Sequence, residues 1–265
     1  MGNNINDGYA DSNRFSDKAL LIYNDFLQSG KFLTHYKWLK NAAETYDIKL
    51  ELMGNSEFLC SYGTSFDKEL IETLGKYRFI LFWDKDIRLG KKFTNICKKI
   101  NIPIYNNIRA IADCDDKSAT YEKIGQWNDC HDTLEQIKMI PTIVAPMTYE
   151  NIGYTDMNFL DKVAEKFGFP LVIKECFGSF GMQVYMAHDM DELKKRVSDI
   201  GGKPMIFQKF IEKSSGFDVR LQVVGDEVVA AMFRYTDDGD FRANITHGGK
   251  MKSYEPDASE IKLAT

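Results

Sequence analysis

The sequence predicts a protein that is part α/β and part α+β: an N-terminal parallel-sheet domain, then a part built on hairpins. Two observations carry this prediction. Between residues 18 and 105, apolar strand-like runs alternate with segments of helical spacing, the pattern of a parallel sheet with crossover helices. Beyond residue 168, strand pairs instead meet at short glycine-containing turns. The length of 265 residues also exceeds a usual single domain. The expected units are 1–16, 17–110, 111–204 and 205–265.

Residues 1–16 (MGNNINDGYADSNRFS) are polar and read as a disordered or weakly attached arm without a signal core. Within Lys18–Leu27 the run Ala19–Tyr23 fits a buried first strand. Phe32, Tyr36, Leu39 and Ala43 recur at helical spacing over Phe32–Tyr46. Ile48–Met53 alternates as a strand does, Phe66–Leu74 suggests a helix, and Arg78–Trp83 (RFILFW) another buried strand. A helical pattern over Phe93–Ile100 and a short strand at Ile102–Tyr105 complete the first unit.

Arg109–Asp116 is expected to be the linker. Its Asp113-Cys114-Asp115-Asp116 run could hold a cation or cap the helix that Lys117 opens. Helices are expected to about Gly125 and over Leu134–Lys138, then a strand start at Ile140–Thr142. An amphipathic helix over Phe159–Phe167 should stop at Gly168. Phe169–Val184 (FPLVIKECFGSFGMQV) reads as a strand carrying Lys174, a glycine loop and a second strand. Such a loop can turn N–H groups toward phosphates, with the lysine adding a point charge; an ordinary hairpin with a solvated lysine fits the stretch equally. A helix over Asp191–Ile200 and a strand over Met205–Ile211 follow.

Phe217–Tyr235 reads as two strands around Gly225-Asp226, with Asp218, Arg220 and Gln222 sharing one face. A simple two-residue turn pairs Arg220 with Ala231 and leaves Arg234 on the opposite face. A bulge would reunite the arginines. A second turn at Asp237-Asp238-Gly239 leads to Phe241–Asn244.

Composition excludes several classes. A net charge of -5 lacks the basic excess of a duplex nucleic-acid binder. No apolar run reaches the ~18 residues of a membrane span. Five cysteines without close pairs make a poor disulfide framework, and Cys130-His131 has no partner at metal-ligand spacing. A cytoplasmic protein with reduced thiols is the expectation. Nothing in the sequence opposes assembly into a homo-oligomer.

Taken in order, CDDK at 114–117, IPTIVAP at 140–146, FPLVIKECFGSFG at 169–181, QKFIEKSSGFDVR at 208–220, VVGDEVVAAMFR at 223–234 and DFRANITHGG at 240–249 are similar to the motifs of ATP-grasp carboxylate–amine ligases of the RimK type. The resemblance runs from about residue 18 to the end. It implies a pre-ATP-grasp domain at 17–110 and an ATP-grasp domain whose middle subdomain, 111–204, carries a glycine-rich lid. Residues 205–265 would be a partial C-terminal subdomain. ATP would lie between these two subdomains. Lys117 and Lys174 would contact it, with Gly178, Ser179, Phe180 and Gly181 closing over its phosphates. Gln208, Lys209, Phe210 and Ile211 would form the hinge facing adenine, though Lys209 departs from the acid common there. Asp218 would contact the nucleotide, Arg242 and Asn244 would stand on the phosphate side, and Arg220 and Arg234 would steady the transferred phosphoryl group.

The activity so implied joins a small-molecule or peptide carboxylate to an amine through an acyl phosphate, with ATP and Mg2+. The resemblance puts the metal ligands beyond Thr265, so the sequence reads as the larger part of a ligase, and this chain supplies none of them. A nucleotide-binding module without turnover is the alternative. At the C-terminus, Asp257 and Glu260 form a capping-box pattern after Pro256 that announces a helix.

Overall fold

The computed structural model describes residues 17–265 apart from Gln28, Gly63 and Leu134, so the arm assigned to 1–16 lies outside the described residues. The chain forms two compact units, the first ending at Cys114 and the second spanning Asp115–Thr265.

In the first unit, β1 (Lys18–Tyr23), β2 (Lys49–Gly54), β3 (Ile80–Trp83) and β4 (Ile104–Tyr105) form a parallel sheet in the order β2-β1-β3-β4. Leu20 and Ile22 enter a core with Phe82, with Leu74 of α2 (Thr64–Leu74), and with Phe93 and Ile96 of α3 (Ile87–Lys99). Ala19 and Leu21 enter another core with Leu50 and with Tyr36 of α1 (Gly30–Glu44). A strand covered on both faces needs no polar alternation, which explains the unbroken run in β1.

The expected linker is itself helical, as α4 (Ile108–Asp115). Ile108 and Ile111 sit one turn apart and pack into the core beside α3. Asp116 then caps α5 (Lys117–Asp129), accepting from Ser118 N at 2.8 Å and Ala119 N at 3.4 Å. The capping alternative for the acidic run is therefore realised at Asp116.

The helix expected over Leu134–Lys138 is absent; the described residues 135–138 form a turn and irregular chain. The Asn128 side chain takes the Ile137 backbone instead, accepting from its N–H at 2.7 Å and donating to its carbonyl at 2.9 Å. Such a side-chain bond competes directly with helical ones.

The second unit contains two antiparallel sheets. In one, β5 (Thr142–Val144), β6 (Leu171–Glu175), β7 (Val184–Ala187) and β8 (Met205–Lys209) run in the order β5-β8-β6-β7. One face of this sheet, with Leu171, Ile173, Met205 and Phe207, packs on α6 (Phe159–Phe167) and α7 (Met190–Ile200). α6 stops at Gly168, as its φ of +67° permits.

The other sheet holds β9 (Phe217–Val224), β10 (Glu227–Tyr235) and β11 (Lys250–Ser253), with β10 central. The chain does not return as a strand directly after Gly239. Residues 241–249 form a loop with a 3-10 turn at Ile245–His247, stabilised by His247 N and Gly249 N donating to Asn244 O. Last comes α8 (Ala258–Ala264), where Asp257 and Glu260 make the expected capping box. No described helix is long and apolar enough to cross a membrane.

Candidate functional site

Strand parity builds the site. Thr142 and Val172 both pair with Gln208, and Lys174 pairs with Val184 and Ile206. Cross-strand partners share a face, so Thr142, Gln208, Val172, Lys174 and Val184 lie opposite the α6–α7 core. This free face floors a cleft of ≈200 Å³. Its walls are Lys209 at the end of β8, Phe210 and Ile211 just after it, Phe217 and Asp218 of β9, and Phe241–Asn244. The cleft thus gathers Lys174, Gln208, Lys209, Phe210, Ile211, Asp218, Arg242 and Asn244 from distant parts of the sequence. It does not include Lys117, the glycine loop, Arg220 or Arg234 among its lining residues, yet each connects to a residue that it does.

Lys174 is half-buried. Burial first, and then the charge of Lys117, push its pKa down, and no carboxylate opposes them. A cation left in that state favours an incoming anion. Lys117 Nζ donates to Cys176 O at 3.2 Å and Gly178 O at 3.4 Å, which ties it to the start of the glycine loop.

At the other end of the loop, Arg242 Nη1 donates to Gly181 O at 3.3 Å. Asp240 holds the Arg242 guanidinium through bonds of 2.7 to 3.2 Å and raises its pKa. Gly181 has φ +78°, and a Cβ there would stand 2.5 Å from Asn244 Oδ1. Phe180 takes φ +61° without being glycine and leaves its ring exposed. Strain of this kind persists only where surroundings impose it.

The arginines come together through a bulge. The two-residue turn holds at first, with Val223 opposite Val228, but the register shifts between Val228 and Ala230. Arg220 therefore faces Met232 rather than Ala231, and Arg234 faces Asp218. Arg234, 9% exposed, donates to both carboxylate oxygens of Asp218, Nε at 2.7 Å and Nη2 at 2.5 Å. Arg220 shares that face; surrounding burial and then the Arg234 charge lower its pKa, while Asp218 opposes them.

Among the described residues, no group of three or more His, Cys, Asp or Glu side chains is arranged to hold a metal ion. The sequence reasoning did not single out Asp240, which clamps Arg242, nor Tyr121 and Thr142, which hold the Gln208 amide at 2.5 Å and 2.8 Å. Strand alternation could have placed Val172 beside Lys174, but nothing local marks Tyr121 as a neighbour of β8.

Residues 123–265, more than half of the chain, match the family model described as the RimK-like ATP-grasp domain. A Mycoplasma pneumoniae relative, named only as an uncharacterized MG012 homolog, is 30% identical over 92% of this chain and 79% of its own length. The chain belongs to the RimK-like ATP-grasp family. It is thereby an enzyme of the ATP-dependent carboxylate–amine ligase class. Human N-acetylaspartylglutamate synthase A is 28% identical to it over 63% of this chain and 38% of the synthase. Among solved structures, a RimK-domain ATP-grasp protein from Sphaerobacter thermophilus superposes with TM-score 0.61 at 16% identity, over 93% of this chain and 79% of that one. D-alanine–D-alanine ligase of Bacillus anthracis complexed with ATP gives TM-score 0.59 at 17% identity, over 94% and 76%. At these identities the structural likeness concerns the fold.

Proposed function

We propose that this ATP-grasp chain binds ATP in the cleft above β6 and β8 and joins a carboxylate to an amine through an acyl phosphate. The supporting observation is Lys174, a half-buried cation with a lowered pKa and no opposing carboxylate, on the floor of a cleft that also presents Arg242. An anion placed there relieves the repulsion from Lys117.

Bound ATP supplies the phosphoryl group that converts a poor leaving group into a good one. The carboxylate oxygen takes the terminal phosphoryl group as ADP departs. The amine nitrogen then attacks the acyl carbon, the C–O bond breaks, and phosphate and a proton leave. The chain's residues act by charge and enclosure. Lys117 and Lys174 balance phosphate charge, and Arg220 faces the phosphoryl group. Arg234 is held in place by Asp218. The loop Gly178–Gly181 shields the acyl phosphate from water. No side-chain nucleophile is required. Magnesium belongs to the family chemistry; among the described residues no group of three or more His, Cys, Asp or Glu side chains could hold a metal ion, and no step is derived through it.

The names of the relatives direct the first substrates to try, glutamate as the amine and an amino acid or peptide as the carboxylate. The test is ADP release with Mg-ATP across a panel of acids and amines. Release that requires both substrates and is lost in Lys174→Ala is the expected result. Wild-type protein with no calorimetric signal for ATP would overturn the proposal. ATP binding with no turnover on any acid–amine pair would leave a nucleotide-binding module.

A further inference from the structure

A larger cavity, of ≈320 Å³, lies within the first unit and shares no lining residue with the nucleotide cleft. It opens beside Met53, near the end of β2, and beside the chain that follows that strand. Open α/β sheets hold ligands at this carboxyl end of their strands. The floor is apolar. Leu89 and Phe93 of α3 are buried, and Phe58 meets Phe93 edge-on, with ring centres 5.0 Å apart. Leu70 of α2 packs on the same core.

The polar rim is one-sided. Thr73 Oγ1 donates to Glu69 O at 3.0 Å, and Ser61 Oγ donates to Leu59 O at 3.1 Å. A carbonyl cannot donate, so each hydroxyl has committed its one proton and offers a ligand only lone pairs. Lys92 is the one cation in the lining, and Asp67 already neutralises it. Its side chain is 11% exposed, and its bond to Asp67 holds that carboxyl below the ordinary aspartate range. Glu57 and Glu69 are exposed. Among the described residues, neither of their carboxylates has an ion pair or a hydrogen bond. Every side-chain oxygen on the rim is therefore an acceptor, and the uncompensated charge is negative.

A ligand that suits this cavity turns positive N–H donors to the rim and an apolar body to the floor. Its volume stands near the lower limit of the about 300–1,000 Å³ typical of small-molecule sites, which admits a single ring or a short branched chain. A carboxylate on that ligand would face Glu57 and Glu69, which disfavours an amino acid relative to the amine lacking its carboxyl group. We propose that the cavity binds a small apolar primary amine as its ammonium ion, with Glu57 and Glu69 taking the charge and the Phe58–Phe93 floor taking the apolar body. The assignment is independent of the nucleotide reading.

The test uses the full chain and three probes of similar size: phenethylamine, 2-phenylethanol and 3-phenylpropionate. Affinities come from ligand-observed NMR, and Cys60 reports where the probe sits. Cys60 is exposed and lines the cavity, whereas the exposed Cys114 and Cys130 do not line it. Phenethylamine at twice its Kd should slow iodoacetamide alkylation of Cys60 about threefold, and peptide mass spectrometry should find Cys114 and Cys130 unaffected. Wild type is expected to bind phenethylamine about tenfold more tightly than 3-phenylpropionate, with the alcohol between them, since each exposed carboxylate contributes a factor of a few. In the double variant Glu57→Gln, Glu69→Gln, amine and acid should bind within about twofold of each other while the alcohol keeps its wild-type affinity. Damage to the fold would weaken the alcohol as well, and the wild-type comparison stands without the variant. Equal binding of amine and acid by wild type overturns the proposal. So does binding that leaves Cys60 alkylation unchanged, a preference for the amine that survives in the double variant, or no binding of any probe.

Discussion

Asp218→Asn should destabilise the protein by about 1.5–2 kcal/mol, the lower part of the range for hydrogen bonds to charged groups. The geometry sets that figure. Arg234 donates to both oxygens of Asp218 at 2.7 Å and 2.5 Å, and its side chain is only 11% exposed, while that of Asp218 is 41% exposed. A fully buried pair would cost about 3–5 kcal/mol to break, but water reaching Asp218 screens the interaction and removes much of that. Two further effects hold the cost above that of a surface pair. The asparagine amide presents only one acceptor oxygen to the guanidinium fork. Arg220, on the same face, then repels Arg234 with no carboxylate between them. Urea unfolding reads the loss directly, and about 1.5–2 kcal/mol corresponds to roughly 3–8 °C in Tm for a unit of this size. A double-mutant cycle with Arg234→Met isolates the pair, with an expected coupling of at least about 1 kcal/mol. A single-mutant cost below about 0.5 kcal/mol, or a cycle that is simply additive, would refute the bulged register that brings these residues together.

Lys174 has a lowered folded-state pKa, so the folded protein binds fewer protons there than the unfolded chain between that pKa and the ordinary lysine value of about 10.4. Stability should therefore rise with pH across that window, and urea titrations should show Lys174→Met lacking the rise. Gly181→Ala combines a left-handed φ with a Cβ 2.5 Å from Asn244 Oδ1, whereas Gly153→Ala meets only the strain of φ +70° in open space. The first should cost roughly 1–3 kcal/mol and the second about 1, with faster proteolysis of the 178–181 loop in the first alone. Asp257→Ala removes the cap of α8 and should cost about 1 kcal/mol. It is expected to raise hydrogen exchange at Ser259 and Glu260, whose N–H groups donate to that carboxylate.

The elements legible in the sequence were those whose determinants are local. The unbroken apolar run of β1 announces a strand covered on both faces, Gly168 a helix stop, and the Asp257–Glu260 spacing a capping box. The misreadings arose where a distant group decided the outcome. Leu134–Lys138 has a helical spacing too short to nucleate alone, and Asn128 takes its backbone instead. The boundary between the two units does fall within Arg109–Asp116, but the segment is helical rather than a loose linker, because Ile108 and Ile111 pack into the first core. The bulge in β10 falls among Val228, Val229 and Ala230, with no glycine or proline to mark it. A simple two-residue turn therefore puts Arg234 on the opposite face, and it is the bulge, the other register open from the sequence, that brings it to Asp218.

The cleft residues were legible as an ordered set of motifs, but the chemical state of Lys174 was not. Lys174 and Gln208 alternate with core residues on neighbouring strands, and alternation says only that they avoid the α6–α7 core. Solvated side chains would satisfy that pattern equally well. What separates a site from a surface is that the protein withholds compensation. Glu175, one residue beyond Lys174 and on the core side, accepts from Tyr185 and Lys203. Lys174 meets only the repulsion of Lys117. A fold selected for stability alone would have paired or replaced it, since it disfavours the empty protein. A bound anion would offset the burial and the Lys117 charge that lower the Lys174 pKa. Lys174 and Gln208 share one face of one sheet, about the floor of the same cleft. The strand register that turns Lys174 into the cleft therefore turns Gln208 into it as well.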